Sequence, residues 1–361
     1  MCRLSWCWMP VDRCRGSILI AILRNTCYLA LFGLLALPSH ADSGNIDPFH
    51  VRNMNPFTLI YGLPAMASSH LLARNESYLQ LTADIANNSI QSDSDGERIR
   101  LDGETYRLSF IWKRGIAEDW QVGIELPFLT HREGLMDGLI ENWHDIFGLS
   151  NSDRNDWSRN RLVFRYENNR GEQILVDRKK SGVGDLVLTL SHALDAAADS
   201  GRRLALHASL KLPSGDADAL LGSGAADLAL WASGSERRML WQWPLDIYGQ
   251  AGLLLKGKAD LLQDLQRDVV FFGALGVGWR PMNWLDLKAQ VDAHSSHYDS
   301  KLDQLGGTAL MLTVGGSIHL DADSHRIDIS IGENLTTDSV PDFMINLAYV
   351  RRFDALGVSG Q

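Results

Sequence analysis

From Trp284 to His294 the chain alternates without a break. Leu285, Leu287, Ala289, Val291 and Ala293 fall on one side, and Asp286, Lys288, Gln290, Asp292 and His294 on the other. Side chains of an extended strand point alternately to its two faces, so this stretch carries one oily and one strongly polar face. A helix would mix the two sets around its cylinder. The same alternation returns along the chain. It is carried by Leu79, Leu81, Ala83 and Ile85, by Tyr106, Leu108, Phe110 and Trp112, and by Val122, Ile124, Leu126 and Phe128. Further sets are Leu186 to Leu190, Leu204 to Leu212, Leu228 with Leu230, Leu245 to Leu255 and Phe271 to Trp279. Leu310 to Leu320, Ile327 to Ile331 and Phe343 to Phe353 complete them, giving twelve expected strands.

Two architectures use such a pattern. A soluble sandwich hides its apolar faces between two sheets. A membrane barrel turns them to lipid and keeps a polar interior. Stretches of about ten residues suit a tilted bilayer-crossing strand. The expected connections alternate between long (Asn87 to Gly103, Thr130 to Gly182) and short (Arg114 to Asp119, Met282-Asn283, Ala322 to His325). Short periplasmic turns and long outer loops are the barrel habit. Trp112, Trp120, Trp231, Trp241, Trp243, Trp279 and Trp284 all fall beside the short turns, where a girdle of aromatic rings would sit at the headgroups. The fold class expected is therefore all-β, a transmembrane antiparallel barrel of about 12 strands with a polar lumen and long outer loops.

The start of the chain reads as a secretory signal. Arg3, Arg13, Arg15 and Arg24 precede the apolar run Cys27 to Pro38, and Ser39-His40-Ala41 supplies small residues for cleavage after Ala41. Removing 1–41 takes away four Arg and one Asp, so the net charge of -10 becomes -13. Cys2, Cys7, Cys14 and Cys27 leave with it, which excludes disulfides and thiol chemistry from the remainder. The acidic balance argues against nucleic-acid partners. Residues 42–74, broken by Pro48, Pro56 and Pro64, are expected to plug the lumen or to lie as a periplasmic tail beneath it. The barrel proper is expected over 75–353, followed by the extension 354–361.

Leu135 to Phe147 has helical spacing of apolar residues, which predicts one short amphipathic helix in an outer loop. Arg161 to Asp177 reads as a hairpin turned at Asn168-Asn169-Arg170-Gly171. Parity points Asp185, Lys211 and Asp227 inward near the outer rim, as a charge cluster or a structural ion pair. Arg107, Lys288, Asp292 and His294 add charge to the same inner face. No sequence pattern calls for a metal or another cofactor.

Several motifs carry a family resemblance. They are Asn55-Pro56-Phe57 with Tyr61-Gly62-Leu63-Pro64, Leu101-Asp102-Gly103-Glu104-Thr105-Tyr106-Arg107, and Asn142-Trp143-His144-Asp145 with Phe147-Gly148-Leu149. Lys211-Leu212-Pro213-Ser214-Gly215-Asp216, Gly222-Ser223-Gly224, Asp227-Leu228, Asp292-Ala293-His294 and Tyr298-Asp299-Ser300 belong to the same set. Over nearly all of the chain beyond the signal, the sequence resembles domain-of-unknown-function family 3187, an uncharacterised group of proteobacterial envelope proteins. The motif beginning at Lys211 is also similar to barrels of the phenol-degradation meta-pathway outer-membrane family. Neither lends a catalytic residue. The terminal Tyr349-Val350-Arg351-Arg352-Phe353 resembles the aromatic signal read by the barrel-assembly machinery, though eight residues follow it.

The expected partners are outer-membrane lipid and lipopolysaccharide, the assembly machinery during insertion, and an unknown small solute. The function expected is a narrow channel or small-solute transporter in the outer membrane of a Gram-negative cell, and not an enzyme. A lipid-modifying hydrolase is the first alternative, because Asp292, His294 and Ser296 share one strand face. Spacing along one strand separates such groups by about 7 Å per two residues, which weighs against a triad. A structural barrel that binds an envelope partner is the second alternative.

Overall fold

The computed structural model describes residues 45–134, 161–194, 201–321, 324–335 and 339–353. All lie in one compact unit, Ser39–Leu135 with Asn160–Gln361. The signal (1–41), the helix expected over Leu135 to Phe147 and the extension 354–361 fall outside the described residues, as do the motifs around Trp143.

Fifteen strands form one sheet. They are β1 (Ser77–Ser94), β2 (Glu97–Ala117), β3 (Trp120–Arg132), β4 (Val163–Asn168), β5 (Gln173–Val176), β6 (Lys180–Val183), β7 (Leu186–Leu194), β8 (Arg202–Leu212), β9 (Asp227–Leu240), β10 (Trp243–Lys256), β11 (Val269–Met282), β12 (Leu285–His294), β13 (Ala309–Asp321), β14 (His325–Asn334) and β15 (Phe343–Phe353). Twelve of them close a ring. Each pairs antiparallel with its neighbours, β3 passes to β7, and β15 returns to β1 with Ser77 opposite Phe353. The short strands β4, β5 and β6 are additions at the outer end, where β4 pairs with Glu97–Asp102 of β2 and β6 with Phe128–His131 of β3. A closed ring leaves no unpaired edge, the condition for a sheet to stand in lipid.

Alternation sorts the side chains as its period requires. Leu108, Phe110, Leu126, Phe128, Leu204 and Leu206 face outward and are exposed, whereas Arg107, Ser109, Glu125, His207 and Lys211 face inward and are buried. An exposed apolar wall around a polar interior is unfavourable in water and is what a bilayer solvates.

Two sequence expectations need correction. Asn87 to Gly103 is not a long loop. β1 and β2 continue in register up to a tight turn at Asp95-Gly96, both at positive φ (50° and 81°). Asp-Gly supplies that turn because Gly carries no Cβ to clash there. Strands that rise beyond the bilayer need no oily face, so the polar run Asn88 to Ser94 lost the alternation and read as loop. Trp231 does not belong to the aromatic girdle either. It lies on the inward parity of β9, 7% exposed, stacked on His207 with ring centres 5.0 Å apart. Trp120, Trp241, Trp243 and Trp284 do stand exposed at the short-turn end, and Trp243 stacks on Trp279 there at 4.9 Å.

Candidate functional site: a lumen occupied by the chain's own start

Residues 45–74 run inside the ring. They rise from the short-turn end, turn at the outer end, and descend to meet β1. The rising leg begins with Ile46, whose amide donates to Asp246 Oδ2 at 3.3 Å. Phe49 N–H donates to Gln290 Oε1 at 3.0 Å, and Asn53 Nδ2 meets His294 Nε2 at 3.0 Å. The turn is a single helical turn, α1 (Pro56–Leu59). Asn55 caps it by accepting from Phe57 N–H at 3.0 Å, and Pro56 takes a position where no N–H is needed. The descending leg passes Asp227, Gln250 and Gln121, which accept from Gly62 N–H (2.9 Å), Ala67 N–H (3.0 Å) and Leu72 N–H (3.1 Å).

An extended segment inside a closed barrel finds no strand edge to pair with, yet its buried amides must be satisfied. Here inward carboxylates and glutamines from β3, β9, β10 and β12 do this. Gly62 lets the descending leg approach the wall closely, since a Cβ there would stand 3.0 Å from that of Lys211 and 3.2 Å from that of Asp227.

Three charged clusters fasten the insert at three heights. At the short-turn end, Asp47 bridges Arg326 (2.8 Å) and Arg352 (2.6 Å), and its carbonyl accepts from Lys288 Nζ at 3.1 Å. Lys288 also stands 3.9 Å over the Phe49 ring and 3.7 Å from Asp328. Midway, Glu125 takes Arg52 of the insert (2.9 Å) and Arg107 of the wall (2.7 Å). Near the outer end, Lys211 pairs with Asp185 (2.5 Å) and Asp227 (3.3 Å) and donates to Ile60 O at 3.1 Å.

Of the seven residues singled out from sequence, Asp185, Lys211 and Asp227 are thus brought together, beneath the insert's apex. Arg107, Lys288, Asp292 and His294 lie apart from them, in other networks. Asp292 accepts from Gln290 Nε2 at 2.9 Å. His294 is engaged by Asn53 on one ring nitrogen and by Ser295 O (2.9 Å) on the other, not by Asp292 or Ser296. The arrangement a Ser-His-acid hydrolase requires is not assembled.

An apolar cap covers the apex. Phe57 and Tyr61 pack with Ile99, Phe164, Tyr166, Leu220 and Tyr298, contributed by the extended β2, the β4–β5 hairpin and the outer loops. Tyr298 Oη donates to Phe57 O at 2.9 Å, and Phe57 meets Tyr166 edge-on at 6.5 Å. Burial of each such ring contributes about 1.5–3 kcal/mol. His297, in the loop after β12, stacks on Tyr61 at 5.1 Å. Burial, then His294 and Lys256 nearby, hold its imidazole well below its ordinary range, so it stays neutral.

The insert does not fill the ring completely. A cavity of about 100 Å³ remains between it and inward residues of β1, β2, β3, β7, β8, β9, β14 and β15.

An outer-membrane β-barrel, with a polar lumen threaded by its own N-terminal segment, is the class that fold and site define. The chain belongs to the family described as Protein of unknown function (DUF3187), whose family model matches residues 25–353. No curated protein matches the sequence. Among solved structures, it is similar to the COG4313 outer membrane channel from Pseudomonas putida F1, with a TM-score of 0.52 and 13% identity over 79% of this chain and 98% of that one. The NanC porin gives a TM-score of 0.42 and 10% identity over 75% and 97%. The KdgM porin gives 0.40 and 7% over 76% and 99%. At these identities the first likeness is one of fold, and the two lower scores carry no argument.

Proposed function

We propose that this protein is a gated conduit for small solutes across the outer membrane, held closed by residues 45–74. The observation that carries the reading is the insert itself. It is tied to the wall by hydrogen bonds and ion pairs, without a covalent crosslink, and it occupies a lumen whose wall is polar. A filled barrel that served only as a scaffold would gain more from an apolar core than from paired charges, because desolvating ions offsets much of their attraction. A lumen that must hold water when open needs the polar lining. Twelve strands enclose a bore between that of side-chain-filled eight-stranded barrels and that of open porins.

Planar-bilayer conductance tests this reading. The refolded full chain should give brief, discrete steps, and a chain lacking residues 45–72 should give larger and longer ones. Silence from both, with both barrels folded, would overturn the channel reading.

A further inference from the structure

The cavity beside the insert is rich in donors. Its lining includes one lysine and three arginines, Lys113, Arg52, Arg326 and Arg352, against two carboxylates, Asp47 and Glu125. Both carboxylates are already bound, Asp47 by Arg326 and Arg352, and Glu125 by Arg52 and Arg107. Lys113 is different. Among the described residues no carboxylate lies within ion-pairing reach of its ammonium, which stands 5.0 Å over the Tyr78 ring. This excess of positive charge lines the interior of a protein whose net charge is -10.

The space at Lys113 is built by the strand register. Lys113 lies opposite Gly123, Gly123 opposite Thr189, and Thr189 opposite Ser209, so three small residues continue the wall beside one long cation. A second unused donor lines the same cavity. Trp231 is 7% exposed, and its indole Nε1 has no acceptor. Its stacked neighbour His207 is spent on Ser191 and Ser233, each at 2.8 Å. Leu63, Pro64, Met66, Ile111 and Val187 make much of the remaining lining apolar.

We propose that this cavity is a binding site for small amphipathic organic anions, with the carboxylate of the solute paired to Lys113 and its apolar body against the insert and Val187. An unpaired, partly desolvated cation that shares a cavity with a buried N–H without an acceptor is satisfied by an anion that brings the missing acceptor to the ammonium. Carboxylates of the protein itself are unavailable, because each is held by two guanidinium groups. The inference names the solute class of the conduit proposed above and rests on that reading for its transport meaning only.

Isothermal titration calorimetry on the refolded full chain in detergent is the test, with benzoate as probe and benzamide as its uncharged counterpart. Benzoate should bind at least about tenfold tighter than benzamide, the scale of one charge-assisted hydrogen bond. Lys113→Met should remove that preference while leaving the weak benzamide signal as it is, and Lys113→Arg should retain it. Equal binding of the two probes, or benzoate binding unchanged by Lys113→Met, would overturn the proposal. The two readings fail separately. Conductance steps without benzoate binding would remove the anion site and leave the conduit, whereas Lys113-dependent binding in a protein that never conducts would leave the site and remove the conduit.

Discussion

Lys211→Met is expected to destabilise the barrel by about 3–5 kcal/mol, the scale for removing one member of a buried ion cluster. The ammonium is 3% exposed on the side chain and is shared by Asp185 and Asp227, with Ser223 Oγ and Ile60 O as further acceptors. Its loss leaves two buried carboxylates facing each other. Each keeps only amide donors: Gly215 and Ser223 for Asp185, Gly62 and Gly257 for Asp227. Equilibrium unfolding in urea, followed by tryptophan fluorescence in detergent, reads the effect. Adding Asp185→Asn to the variant should recover part of the loss, because it removes one of the stranded charges. A midpoint unchanged from the parent would show that the cluster contributes nothing to holding the apex down.

Asp47→Asn acts at the other end and is expected to free the rising leg. Two guanidinium groups converge on this carboxylate, and among the described residues Arg326 has a second ion pair, with Asp328 at 2.9 Å, whereas Arg352 has none. Arg352 keeps the Tyr78 ring, 5.9 Å away, and the more distant charge of Glu76. The cost is about 3 kcal/mol, at the lower bound for a broken buried pair, since the Arg352 side chain is already 32% exposed. Because the ring of strands does not depend on this contact, the loss should appear as local opening rather than global unfolding. Trypsin is the readout. Arg52, whose side chain is 9% exposed in the closed arrangement, should become cleavable in Asp47→Asn while the strands stay intact. Equal resistance in the two proteins would mean that the leg is held elsewhere.

The strands were legible because lipid on one side and polar groups on the other impose a strict period of two. The same parity placed Asp185, Lys211 and Asp227 on the inner face and close to one another. The partners of the insert were not legible. Gln121, Gln250 and Gln290 are inward polar residues, and such residues look alike in sequence whether they face water or a backbone amide. Trp231 misled for a related reason. Proximity to a turn places a tryptophan at a rim, but only its parity tells whether the ring meets lipid or lumen. The descent of residues 60–74 could not be read either, since an irregular segment has no period to detect. The local signal just before it is Asn55-Pro56-Phe57, a cap and a first-turn proline, which marks the apex helix.

The central claim is that movement of the insert away from the wall opens the lumen. A disulfide can test it without deleting anything, because residues 42–361 contain no cysteine. A Cβ on Gly278 would lie 3.2 Å from that of Ile46, near the span of about 3.5–4.5 Å that a disulfide bridges. The measurement is the bilayer conductance of the Ile46→Cys, Gly278→Cys protein before and after adding reductant. The account predicts silence while the rising leg is tethered and discrete steps once it is released. Identical traces in both states, whether conducting or silent, would contradict it.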